Sequence, residues 1–98
     1  MHATTVMLKI QRFANARVVF SLSGRIEMDD VAELQRLFNL ESVGQAIALD
    51  LRDVTLIDRD AVKFLVQWEA ENVTLDNCPA YIREWIEAER GRNSPLKR

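Results

Sequence analysis

The chain has 98 residues, 48% of them apolar, a formal net charge of −2 and a single cysteine, Cys78. That length suits one core and that apolar fraction offsets ordering entropy, which excludes an intrinsically disordered chain and a pair of domains. Four basic residues fall in Arg90–Arg98 with no acid, so residues 1–89 hold a net charge of −6, a sign that repels nucleic-acid phosphates.

Val6, Leu8 and Ile10 alternate with Met7, Lys9 and Gln11, and Val18, Phe20 and Leu22 alternate with Val19, Ser21 and Ser23. This is the period of half-buried strands. Ala14-Asn15-Ala16 reads as a hairpin that makes the two strands antiparallel, and Gly24 reads as the end of the second. Asp29 or Asp30 is the expected cap of a first helix, with Glu33 completing a capping box. Val31, Leu34, Leu37 and Phe38 form its apolar stripe, and the helix should stop before Gly44. Residues 46 to 51 are apolar almost throughout, the pattern of a central parallel strand. An acidic turn then leads into a second helix from Arg59 to about Glu71, with Asp58 as its cap. Ala61, Phe64, Leu65 and Trp68 face the core, and Val62 and Val66 widen the apolar face beyond that stripe. Val73-Thr74-Leu75 reads as a short last strand. Pro79 opens a third helix, whose Ile82, Trp85 and Ile86 pack it onto the sheet and which Gly91 terminates. Residues 1–90 therefore form one domain, and 91–98 a basic tail.

Within this order, Ala46-Ile47-Ala48-Leu49-Asp50-Leu51-Arg52-Asp53-Val54-Thr55-Leu56-Ile57-Asp58-Arg59-Asp60-Ala61-Val62-Lys63-Phe64-Leu65 resembles the signature of STAS domains, the sulfate-transporter and anti-sigma-factor-antagonist family. Leu22-Ser23-Gly24-Arg25-Ile26-Glu27 is similar to the family's Leu-x-Gly-x-Leu-Asp, and the order β-β-α-β-α-β-α is that of the family core. The resemblance implies a STAS-like α/β fold with a mixed four-stranded sheet. It also implies a regulatory, non-enzymatic module that docks a protein partner: an anti-sigma factor of the kinase-like fold or, as the rival, the ATPase of an ABC transporter. In phosphorylation-switched relatives a serine follows the aspartate. Arg59 stands there, so this position cannot be phosphorylated as in those relatives, and Thr55 and Ser23 are the nearby hydroxyls.

The resemblance also places the turn after the second strand beside the loop before the second helix. Glu27, Asp58, Arg59, Asp60, Val62, Lys63 and Val66 are then the candidate partner surface, an apolar centre with a charged rim. Arg59 is expected to pair with Glu27, Asp58 or Asp60. Capping explains Asp58 and Asp60 without function, and core packing explains the two valines equally well. Met7, Val19, Ala46 and Ala48 mark a second surface, able to support a homodimer if helices cover only the other side of the sheet. Cys78 precedes a helix start, where a thiol can be activated, although packing is the commoner fate of a free cysteine.

His2 has no second histidine to form a metal site, and no Gly-rich phosphate loop or Ser-His-acid set is present, so no metal, cofactor or catalytic residue is expected. The acids Glu27, Asp58 and Asp60 leave a small-molecule sensor as a further alternative. The lone cysteine and the lack of a leader or membrane-length run make the cytoplasm the expected compartment, without membrane insertion.

Overall fold

The computed structural model describes residues 8–14 and 16–92, and the period-two segments of the sequence are its strands. In chain order the elements are β1 (Lys9–Ala14), β2 (Val18–Ile26), α1 (Met28–Asn39), β3 (Ile47–Ile57), α2 (Arg59–Ala70), β4 (Thr74–Asp76) and α3 (Ala80–Arg92). They build a mixed four-stranded sheet in the order β1-β2-β3-β4. β1 and β2 are antiparallel, whereas β3 runs parallel to β2 and to β4. Among the described residues no helix is long and apolar enough to cross a membrane.

One face of the sheet is apolar because every second residue of β2 is: Val18, Phe20, Leu22 and Ile26 are all buried. They join Leu49 and Leu51 of β3 and the stripes of all three helices in a single apolar cluster. Val31, Leu34 and Phe38 supply α1, Ala61, Leu65 and Trp68 supply α2, and Ile82 and Ile86 supply α3. Trp68 is the hub. Its ring meets Phe38 edge-on at 4.9 Å, Phe38 meets Phe20 at 5.7 Å, and its indole N–H donates to Gln35 Oε1 at 2.9 Å, which satisfies the one polar group this side chain brings into the core.

Several local readings of the sequence are corrected. Gly24 does not end β2 but lies inside it with φ of +102°, and the strand continues to Ile26. Helix α1 accordingly begins earlier, at Met28 with Glu27 as N-cap, because only Glu27 separates strand from helix. The Glu27 amide donates to Asp30 Oδ2 at 2.8 Å, so Asp30 is the third helical residue and not the cap, while Glu33 pairs with Arg36. The acidic turn expected at 52–57 is strand. It pairs with β2 up to Ile57 and carries two extra residues, in bulges opposite Ser21–Ser23 and Gly24–Arg25.

Gly91 does not terminate α3, which runs through Arg92. Asn15, Met7, His2 and tail residues 93–98 lie outside the described residues. α3 packs closely against α2, where Arg83 forks onto Glu69 at 3.1 and 3.2 Å and Arg90 reaches both Glu69 and Glu87.

Candidate functional site

Because β2 and β3 are parallel and paired to their last residues, Ile26 against Ile57, the chain leaves both at the same edge of the sheet. The Asp58 amide donates to the Ile26 carbonyl at 3.0 Å, fixing Glu27 and Asp58 as neighbours at the starts of α1 and α2. Carboxyl ends of parallel strands that open into helix starts are where open α/β sheets commonly place their sites. Glu27, Arg59, Asp60 and Lys63 are exposed there, and Asp58 is half-buried. Arg25 approaches Glu27 at 3.5 Å.

Asp58 occupies the N-cap of α2, yet its carboxylate makes no capping hydrogen bond; the amides of Ala61 and Val62 donate instead to its main-chain carbonyl, at 2.9 and 3.3 Å. Capping therefore does not account for this side chain. Arg59 departs from the expected ion pair. Its guanidinium lies 5.7 Å from the centre of the Trp85 ring, a cation–π contact, and among the described residues it forms no ion pair with Glu27, Asp58 or Asp60.

Val62 is the principal correction to the proposed surface. It is 3% exposed, covered by α3, and with Arg59, Trp85, Ala88 and the buried Glu89 it lines a void of about 20 Å³. Val66 is half-buried against the core. The extra width of the apolar face of α2 is thus used by α3, and what remains open is charged: Glu27, Asp58, Arg59, Asp60 and Lys63. Trp85 and Glu89 were not among the sequence candidates, although 85, 88 and 89 share one helical face, and that spacing was the available signal.

The other candidates separate from this corner. Thr55 Oγ1 donates to the Gly24 carbonyl at 3.1 Å while the residue stays exposed, and Ser23 is half-buried. Cys78 is half-buried, and burial, the largest influence, pushes its thiol above the ordinary 9.0, which opposes the activated-thiol reading. Among the described residues no group of three His, Cys, Asp or Glu is placed to hold a metal ion. An open hollow of about 400 Å³, lined by 44–47 and 71–73, lies at the opposite end of the parallel strands. The corner offers exposed charge on a rigid edge, suited to ion-pair and hydrogen-bond recognition of another macromolecule. No protein-family model matches the chain, and no curated protein sequence matches it.

Proposed function

We propose that this chain is a non-enzymatic, STAS-like regulatory module that docks a protein partner through Glu27, Asp58, Arg59, Asp60 and Lys63. The observation that carries the reading is the unused Asp58 carboxylate, half-buried at the edge where β2 and β3 end together and bound to no helix amide. A side chain held at a cap position without capping is available to an external donor. The resemblance of the 46–65 segment supplies the partner class, an anti-sigma factor of the kinase-like fold, with a sigma factor set free when the module binds. With Arg59 after Asp58, that binding is not switched by phosphate at this position.

Calorimetric titration with purified kinase-like anti-sigma factors tests the reading. Asp58→Lys combined with Asp60→Lys should weaken binding at least tenfold while the far-UV circular dichroism is unchanged; equal affinity of variant and parent sinks the proposal. After incubation with the same partner and ATP, phosphate recovered on 58–65 contradicts the unswitched reading. Docking to an ABC transporter ATPase, abolished by the same pair of substitutions, would keep the surface and change the partner.

A further inference from the structure

The helices bury their stripes against one face of the sheet, and the opposite face keeps an unusual distribution of charge. In the ladders, Lys9 is level with Ser23 and Asp53, Gln11 with Ser21, Asp50 and Asp76, and Phe13 with Val19, Ala48 and Thr74. Side chains in register share a face, so these residues, with Arg17, Arg25 and Leu56, form the face away from the core. Its cations, Lys9, Arg17 and Arg25, stand on or beside β1 and β2. Its acids, Asp50, Asp53 and Asp76, stand on β3 and β4; Arg52, in the first bulge, is the exception. Across the four strands at one end of this face runs an uncharged row, exposed Phe13 (54%) on the edge strand, half-buried Val19, fully buried Ala48 and exposed Thr74. Arg17 reaches across β3 to Asp76 at 2.7 Å, so this pair is satisfied within one copy and Lys9, Arg25 and Asp53 are the charges considered for a second.

We infer that this face pairs with the same face of a second copy, about a two-fold axis parallel to the strands. That rotation lays the β1–β2 half of each copy over the β3–β4 half of the other, so Lys9 and Arg25 meet Asp53 of the second copy. It also sets the exposed Phe13 of each copy above the exposed Thr74 of the other. A two-fold perpendicular to the strands would bring like charges together and is rejected by the same pattern. The strands hold 29 residues, and the roughly half that face outward would bury on the order of 600 Å² per copy, near the lower limit of stable specific interfaces. Arg25 of this face lies beside Glu27 of the docking corner, and the Val19 and Asp53 variants, which leave Arg25 in place, keep the two proposals distinguishable.

Sedimentation equilibrium of the full chain tests it at concentrations up to about 200 μM, a range that captures micromolar pairing. The expected mass is twice the 11.3 kDa of one chain. Val19→Asp should raise the dissociation constant at least tenfold with unchanged circular dichroism. If that variant folds poorly, the charge variants decide. Lys9→Glu with Arg25→Glu, and separately Asp53→Lys, should each sediment as monomers, and an equimolar mixture should recover a heterodimer. A wild-type mass of one chain throughout the range, or mixed variants that remain monomeric, overturns the inference.

Discussion

The two seams that α2 makes with its neighbouring helices are built on different physics. Toward α1 the seam is aromatic and dry, a chain of rings from Phe20 through Phe38 to Trp68 with one satisfied indole N–H. Toward α3 it combines the buried Ile82 and Ile86 with a ladder of charge, Glu69 between Arg83 and Arg90, and Arg59 against Trp85. The first seam loses contacts only if the core opens, so its strength should be insensitive to salt and pH. Part of the second is Coulombic and responds to both. The difference teaches that one small core can present a fixed side and a tunable side on a single helix.

Breaking the first seam should have the largest effect. Trp68→Ala removes the hub and leaves a cavity, so urea denaturation should show a loss of about 3–5 kcal/mol, equal at low and high salt. The second seam should reveal itself through acid. The Glu69 carboxyl is held below its ordinary 4.5, chiefly by its hydrogen bonds from Arg83, against opposing burial. A depressed folded value means that the stability from this pair is present above the unfolded value and is lost as pH falls through the folded one. Glu69→Gln should therefore lower the thermal midpoint at neutral pH and reduce its drop below about pH 4; an acid limb as steep as that of the parent would contradict the assignment. The smallest effect belongs to the corner. Because Asp58 makes no capping bond, Asp58→Ala should change stability by less than about 0.5 kcal/mol, below the usual loss of a cap, while the partner affinity falls.

The order of elements was legible because each has a strong period: Val18-Phe20-Leu22 for a strand, Leu34-Leu37-Phe38 and Ala61-Leu65-Trp68 for helices. The mixed sheet follows from a hairpin succeeded by strand-helix-strand units. The failures were all local conflicts between a residue's propensity and its neighbours. Gly24 reads as a stop, but β2 uses its left-handed freedom opposite a bulge. Asp29 and Asp30 read as caps, but strand pairing to Ile26 leaves Glu27 alone in that place. Residues 52–57 read as a turn because two bulges break the period-two alternation. At the site, topology brought Glu27 and Asp58 together as the resemblance implied. Val62 could not be read correctly, since which helix covers it depends on how α3 lies, and no periodicity within α2 encodes that.

The bulged upper half of β3 has a consequence for how this segment tolerates change of length. Its inward residues, Leu51, Val54 and Ile57, recur every third position, and each bulge discards one residue between them. Removing Thr55 alone, or Arg52 alone, would leave Asp53, Val54, Leu56 and Ile57 facing the same residues of β2 and would deliver Asp58 to the same place. Deleting a residue from Ala48–Asp50 would instead turn the strand's core side toward solvent. The two positions of β3 where shortening keeps the register with β2 are thus separated by only a few residues from stretches where it inverts the strand.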